Sequence, residues 1–153
     1  DGEGLATARR MVVEDGILQG WTLDLASAKK LGMQSTANAS RGTSYAPSPS
    51  IGNIELTAGS KSRAELLAEM GTGLLITSMI GSSINPTTGD YSRGASGFWV
   101  ENGEIQFPVQ EITIAGNLRD MFKGIQAIGS DAYNHGAKTV GSVLINRMKI
   151  AGA

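Results

Sequence analysis

Cysteine is absent from the 153-residue chain, and histidine occurs once, as His135. Disulfide bonds and thiolate metal ligands are therefore excluded within this chain. A zinc site built from its own side chains would need several carboxylates beside the one imidazole, or ligands from a second chain. The missing thiols are compatible with a cytoplasmic location, which is the location that we expect.

An excess of charge of one sign is also lacking, because 13 basic and 14 acidic residues give a net charge of −1. This balance gives no reason to expect direct binding to nucleic acid or to an anionic membrane surface. The longest apolar run, residues 73–80, is too short to span a bilayer, and no signal-peptide pattern opens the chain. We therefore expect neither nucleic acid nor a membrane as a partner.

Aromatic residues make up only 5% of the chain, whereas glycine contributes 21 residues. This composition is typical of short strands joined by tight turns, and it argues against a helical bundle. The first residue is Asp1 rather than methionine. We therefore interpret the chain as an excised domain and expect further sequence before it.

Two stretches, residues 10–23 and 97–109, repeat one pattern. Each places apolar residues on both sides of a turn pair, Asp15-Gly16 in the first and Asn102-Gly103 in the second. Such pairs supply the positive φ angles of a two-residue type I′ turn. Both stretches are therefore predicted to be β-hairpins.

Three short helices are predicted, each after a residue whose side chain can cap the first free N–H groups. The caps and helices are Asp24 before residues 25–31, Ser62 before residues 63–70, and Asn117 before residues 118–128. In the third helix, apolar residues fall on one face at helical spacing. That pattern predicts a face packed on the core.

Strands are expected at residues 53–58, 74–80 and 141–150, and the second of these reads as buried. Two segments, residues 32–50 and 81–97, are interpreted as loops. Loops of this length in a compact domain are usually functional or disordered. The whole pattern predicts an α+β fold, a mostly antiparallel β-sheet built from hairpins with about three short helices.

No motif for catalysis is recognisable. The chain has no His-Glu-x-x-His helix, and the residues around Ser96 do not form a Gly-x-Ser-x-Gly elbow. His135 follows Asp131 closely, and a histidine near a carboxylate can act as a base or a ligand. Without a second ligand or a nucleophile, a solvated loop histidine is the more common situation. We therefore predict no catalytic, cofactor-binding or metal-binding residue, with His135 as the one candidate ligand.

Residues 85–94 contain the side chains that we predict to contact a partner subunit or a peptide. They are Asn85, Asp90, Tyr91 and Arg93, in a segment rich in turn-forming glycine and proline. Asp90 and Arg93 are compatible with a surface salt bridge, with a brace inside the loop, or with recognition of a peptide. The sequence leaves these three interpretations open.

A series of blocks resembles the C-terminal domain of the TldD/PmbA (TldE) metallopeptidase family. The most specific block is residues 89–105, which continues through Pro108-Val109 into residues 111–118; the others are residues 13–20, 24–32 and 35–42. Their order and spacing match across nearly the whole chain. The resemblance implies that residues 1–153 form a single C-terminal domain, whose N-terminal domain lies outside this sequence.

The resemblance also implies that two kinds of subunit have different roles. The family contains TldD-like and PmbA (TldE)-like subunits, which form a heterodimeric metallopeptidase. Its zinc is expected in the TldD-like partner, on a His-Glu helix and a cysteine that belong to that partner. The missing cysteine here, and the run Tyr91-Ser92-Arg93-Gly94, are similar to the PmbA type. We therefore expect a non-catalytic subunit with no cofactor of its own.

The expected partners are a TldD-like catalytic subunit and small unfolded peptides, with roles in microcin maturation and antitoxin degradation. Two other readings stay open. One is a non-proteolytic regulatory binding module linked to modulation of DNA gyrase. The other is a metal site of the chain's own, with His135 standing where the catalytic paralogue places a thiol ligand. Whether the chain takes part in catalysis is left uncertain by the sequence.

Overall fold

The computed structural model describes residues 1–152, with the backbone but not the side chain of Ser82. The chain divides into two compact units, Asp1–Ile54 and the part from Glu55 onward. Three helices and mostly antiparallel strands make up the described residues, so the predicted α+β class is confirmed. No helix in this part of the chain is long and apolar enough to cross a membrane.

The first unit contains one helix and two small hairpins. These elements are β1 (Val13–Glu14), β2 (Ile17–Leu18), α1 (Leu25–Leu31), β3 (Ala39–Ser40) and β4 (Ser48–Pro49). β1 pairs with β2 and β3 pairs with β4, both antiparallel. Asp15 and Gly16 have φ angles of 49° and 78°, so the predicted turn is confirmed. The second hairpin lies inside the segment that we interpreted as a loop.

The caps of α1 are those predicted from the sequence. The carboxylate of Asp24 accepts a hydrogen bond of 2.7 Å from the backbone N–H of Ser27. At the other end, Gly32 has φ of 65° and its N–H bonds back to the last turn. Glycine adopts this left-handed conformation without the strain that a Cβ introduces. Local sequence therefore determines both ends of the helix.

A four-stranded antiparallel sheet dominates the second unit, with the strand order β13-β8-β7-β6. Its strands are β6 (Gly73–Ile84), β7 (Asp90–Glu101), β8 (Glu104–Asn117) and β13 (Lys149–Ala151). The turn between β7 and β8 has positive φ at Asn102 (52°) and Gly103 (79°). The second predicted hairpin is therefore confirmed, with strands that extend well beyond the predicted ones.

Shorter elements complete the second unit: α2 (Arg63–Met70), α3 (Leu118–Lys123), β9 (Ile125–Ile128), β10 (Tyr133–His135), β11 (Lys138–Val140) and β12 (Val143–Ile145). The strand β5 (Ile54–Glu55) spans the division between the units. β9 pairs with β12, and β10 pairs with β11. Ser62 and Glu65 form the predicted capping box of α2.

The core of this unit lies on one face of the sheet. Ala95, Ile112 and Ile114 are buried there. Five half-buried apolar residues pack against them: Leu74, Ile76, Tyr91, Val109 and Met148. The cross-strand register places Ala95 opposite Ile112 and Arg93 opposite Ile114. Because directly paired residues share a face of a sheet, the register puts Arg93 on the apolar face.

The predicted loop at residues 81–97 is wrong. β6 continues to Ile84 and β7 begins at Asp90, which leaves a turn of residues 85–89. The pairs Ile84↔Tyr91 and Ser83↔Ser92 extend the ladder almost to the turn. Serine and glycine suggested a loop, but pairing with a neighbouring strand overrides such weak preferences.

The strand predicted at residues 74–80 is confirmed as part of β6, but the expectation that it is buried is wrong. β6 is an outer strand of the sheet among the described residues, and its side chains are partly open to solvent. The exposed fraction is 46% for Met79 and 77% for Ile80. An apolar run alone does not reveal whether a strand lies in the centre or at the edge of a sheet.

The third helix is shorter than predicted, and it buries no residue. α3 ends at Lys123, and the N–H of the C-cap residue Gly124 closes the last turn on Asp120 O at 2.7 Å. Residues 125–128 then form β9 against β12. Phe122, placed on the predicted core face, is 69% exposed. The residues of the predicted core-facing helix therefore belong to two elements, a short exposed helix and a strand.

The predicted strands at residues 53–58 and 141–150 are only partly formed. The first is reduced to Ile54–Glu55, and the second divides into β12 and β13. Arg147 lies between these two strands with φ of 50°, in the left-handed region. A residue with this φ departs from the regular β conformation, and here the strand is interrupted.

Candidate functional site

The turn between β6 and β7 is braced by its own residues. Asn85 Oδ1 accepts hydrogen bonds from the N–H groups of Thr87 (2.9 Å) and Thr88 (3.2 Å). The Gly89 N–H donates to the Asn85 carbonyl at 2.8 Å. Asparagine side chains commonly stabilise turns in this way. The local role of Asn85 is thus a structural one, whatever contact the turn makes.

Asn85, Asp90 and Tyr91 come together at the base of this turn. They line a shallow depression of about 430 Å³ with Ser83, Ile84 and Ser92. The Asp90 carboxylate accepts a hydrogen bond of 2.7 Å from the Thr88 hydroxyl. Three of the four predicted contact residues therefore share one place on the surface.

Arg93 does not join the depression, and it does not pair with Asp90. The two residues are three positions apart in a regular part of β7, so their side chains project from opposite faces. Of the three interpretations of this pair, the direct salt bridge is therefore removed. Asp90 braces the turn, whereas Arg93 lies on the apolar face of the sheet.

A groove of about 710 Å³ opens over this apolar face. β6 contributes Leu74 and Ile76 on one side, and α2 contributes Leu66 and Met70. Residues from β12 and the segment before β13 close the other side. The lining is mostly apolar, and such grooves are common sites for ligands and peptides.

Methionine is concentrated in this groove. Four of the six methionines of the chain line it: Met70, Met79, Met121 and Met148. The unbranched thioether side chain adapts its shape to different partners, which makes methionine-rich surfaces tolerant of varied ligands. The Tyr91 hydroxyl also lies on this surface and donates to the Met79 sulfur at 3.4 Å.

Two of the charged residues that line the groove are paired. Arg63 binds Asp131 at 3.0 Å, and Glu69 forms a short ion pair with Lys61. Asp131 also accepts hydrogen bonds from the Ser142 N–H (2.9 Å) and the Ser142 hydroxyl (2.7 Å). Asp131 therefore links the start of α2 to the segment before β12.

These contacts lower the pKa of Asp131. The two hydrogen bonds from Ser142 and then the bond from Arg63 stabilise the carboxylate, and the pKa falls to about 2. In an unfolded chain the pKa of aspartate is about 3.9. The carboxylate therefore stabilises the fold above about pH 4, and this contribution is lost as the pH falls through about 2.

Asp131→Asn is expected to lower the free energy of unfolding by about 1–2 kcal/mol near neutral pH, because charge-assisted hydrogen bonds are weakened. Urea unfolding of both proteins between pH 7 and pH 2 measures the effect. The difference between them should shrink as the pH falls from about 4 to 2, because the wild-type carboxylate becomes protonated over this range and below it. A difference that is constant over this range would contradict the role of the charge.

His135 lies on β10, exposed, and its ring makes an edge-to-face contact with Tyr133 at a centroid distance of 4.7 Å. Within residues 1–152, no three histidine, cysteine, aspartate or glutamate side chains lie close enough together to hold a metal ion. The described residues therefore do not by themselves form the metal site of the alternative in which His135 is a ligand. Zinc in a partner subunit stays a prediction.

The sequence did not reveal the groove. Its walls come from segments far apart in the chain, from Arg63 to Ile150, and only the tertiary fold brings them together. One signal was present, because four of these segments contain a methionine, at residues 70, 79, 121 and 148. Methionine is also an ordinary core residue, so that signal alone did not indicate a groove.

Known proteins share this architecture. Metalloprotease PmbA of Escherichia coli O157:H7 is 49% identical over 152 residues, which cover 99% of this chain and 32% of that protein. The crystal structure of a proposed modulator of DNA gyrase from Thermotoga maritima is 37% identical and superposes with a TM-score of 0.86. That match covers 99% of this chain and 35% of the Thermotoga chain.

A third similar protein is TldE from Thermococcus kodakarensis, with a TM-score of 0.89, 24% identity, and coverage of 98% of this chain and 35% of that one. At this identity the likeness concerns the fold alone. The chain spans about a third of the length of these relatives. Residues 1–152 match the PmbA/TldA metallopeptidase C-terminal domain, and the chain therefore belongs to that family.

Proposed function

We propose that this chain is part of the non-catalytic subunit of a heterodimeric TldD/TldE-type zinc peptidase. Its task is to hold small unfolded peptides for a TldD-like catalytic partner. The observation that carries the proposal is the methionine-lined groove beside the outer strand β6. The PmbA family of the chain supports a role in proteolysis.

The hydrolytic chemistry is assigned to the partner. A zinc peptidase needs a metal to acidify a water molecule and a general base to take its proton. With one histidine and no cysteine, this chain has few of the nitrogen and sulfur ligands that zinc prefers. Zinc bound in the TldD-like subunit would supply the nucleophile, and this chain would supply the surface that orients the peptide.

The peptide would bind in an extended conformation. The backbone N–H and C=O groups on the outer side of β6 can form a ladder with an added strand. The groove then receives apolar side chains of the peptide. Because the ladder depends only on the backbone, it suits unfolded peptides of varied sequence.

The turn at residues 85–89 and the depression beside it are assigned to contact with the partner subunit or the peptide. Asn85 and Asp90 hold the shape of the turn through their own hydrogen bonds. Tyr91 is shared between the depression and the groove. In the cell the complex would act in the cytoplasm on peptide precursors such as microcins, and on antitoxins.

The test uses the full-length protein, a TldD-like subunit and zinc. A fluorogenic unfolded peptide should be hydrolysed only when both subunits are present, and a chelator should abolish the turnover. Turnover by the full-length protein alone would contradict the proposal. Zinc bound by that protein alone, and lost in its His135→Ala variant, would instead assign a metal site to this chain.

A second function rests on the similarity to the Thermotoga protein described as a proposed modulator of DNA gyrase. In that case the chain would be a regulatory binding module that acts without proteolysis. No cleavage in the mixture, together with tight binding of a gyrase-directed toxin or antitoxin, would favour it. Because the net charge is −1, any effect on gyrase is expected to be indirect.

A further inference from the structure

Arg93 is a half-buried cation on an apolar face. Tyr91 and Ala95 flank it along β7, and Ile114 of β8 lies directly opposite. Its Nε is shielded from solvent and has no hydrogen-bond acceptor among the described residues. A buried charged donor without a partner is costly, so this position calls for an anion.

The groove next to Arg93 also carries a positive charge that no carboxylate of the described residues neutralises. Tyr91 and Ile114, its neighbours on the sheet, both line the groove. Arg63 is neutralised by Asp131 and Glu69 by Lys61. Arg147 also lines the groove, and none of the ion pairs in the described part of the chain involves it. The surface therefore combines apolar side chains with unmatched positive charge.

We propose that Arg93 binds an acidic side chain of the peptide, so that this subunit prefers extended apolar peptides that carry glutamate or aspartate. The inference rests on the proposed peptide-holding function and adds a substrate class to it. Guanidinium groups bind carboxylates through two parallel hydrogen bonds. A carboxylate that pairs side-on with Nε and one Nη of Arg93 would supply the acceptor that Nε lacks.

The arrangement of the strands favours a peptide over a folded partner as the source of the carboxylate. A peptide added to the edge of β6 directs every second side chain to the face that carries Arg93. The other side chains of the peptide point away from the groove and need no complementary residue in this chain. The adaptable methionines then accept varied apolar residues beside the acidic one.

The test compares two fluorescein-labelled peptides of alternating apolar and polar residues, binding to the full-length protein. The peptides are identical except that one carries two glutamates where the other carries glutamines. Both are amidated at the C-terminus, so that side chains supply the only carboxylates. Fluorescence anisotropy at low salt should show about tenfold tighter binding of the glutamate peptide, which corresponds to about 1.4 kcal/mol.

Arg93→Gln should abolish this preference, mainly by weakening the binding of the glutamate peptide. Arg93→Lys, which keeps the positive charge, should retain part of the preference. Arg119→Gln, the same change at an exposed arginine of α3, is the matched control and should keep the full preference. A wild-type protein that binds both peptides equally would overturn the inference. So would an Arg93→Gln variant that loses both peptides equally.

A subunit contact would give a different result. If Arg93→Gln weakened the heterodimer and left the peptide preference intact, the carboxylate would belong to the partner subunit and the inference would be wrong. The test is separate from that of the proposed function. Hydrolysis by the mixed subunits without any charge preference would leave the function standing and remove only the role of Arg93.

Discussion

Gly97→Ala is expected to lower the free energy of unfolding by about 3 kcal/mol or more. A Cβ at this position would overlap the Leu75 carbonyl oxygen of β6 and lie 2.9 Å from its carbon and 3.0 Å from Ile76 Cα. These are backbone atoms of a paired strand, and they cannot move aside as a flexible side chain would. Overpacking of this kind typically costs 1–3 kcal/mol, and a rigid neighbour places it at or above the upper end.

Gly94→Ala provides the matched control in the same strand. The nearest atom to a Cβ at Gly94 is the Ile80 carbonyl oxygen at 3.6 Å, an ordinary van der Waals distance. Since Gly94 does not have a positive φ, the change should alter stability by less than about 1 kcal/mol and can even increase it. Thermal unfolding of the two variants measures the contrast. Equal stability would show that β6 and β7 are not packed as closely as the structure has them.

Ile114→Ala is expected to cost about 2–4 kcal/mol. The side chain is only 5% exposed, and it belongs to the buried cluster with Ala95 and Ile112. Truncation of a buried isoleucine loses its transfer free energy and leaves a cavity that the neighbours fill only in part. Because Ile114 also lines the groove, the variant should bind apolar peptides less tightly as well.

Ile80→Ala is the control for this prediction. Ile80 is an isoleucine of the same sheet, but it is 77% exposed on β6. Its truncation should change stability by about 0.5 kcal/mol or less, as is usual for surface positions. Urea unfolding with a common m-value compares the two variants. Similar losses at both positions would mean that the apolar face of the sheet is not the core of the second unit.

Local features of the fold were predictable. The turns at Asp15-Gly16 and Asn102-Gly103 and the caps at Asp24 and Ser62 depend on residues within a few positions of each other. A positive φ or a capped N–H group is decided by short-range sterics and hydrogen bonding. The same holds for the α+β class, which follows from the alternation of such local units.

The predictions that were wrong concern segments whose secondary structure or burial depends on residues distant in the sequence. Residues 125–128 continue a helical apolar pattern, yet they pair with β12 as a strand. β6 has the sequence of a buried strand, but it lies at the outer side of the sheet among the described residues. Periodicity reports which residues are apolar, whereas the neighbour that covers them is set by the whole fold.

The candidate site also has a part that was predictable from the sequence and a part that was not. Asn85, Asp90 and Tyr91 are close in sequence and meet at one turn, so their grouping was predictable. Arg93 is equally close in sequence, but strand alternation directs it to the opposite face from Asp90. Its separation from the turn became clear only when the loop proved to be a strand.

The amino-acid sequence by itself determined the turns, the helix caps, the fold class and the shortage of zinc ligands, because each depends on composition or on neighbouring residues. Only the tertiary structure decided that four methionines share one groove and that Arg93 lies on an apolar face with an unpaired Nε. These features arise where strands and helices distant in sequence meet. Their free energy depends on burial, which no local pattern specifies.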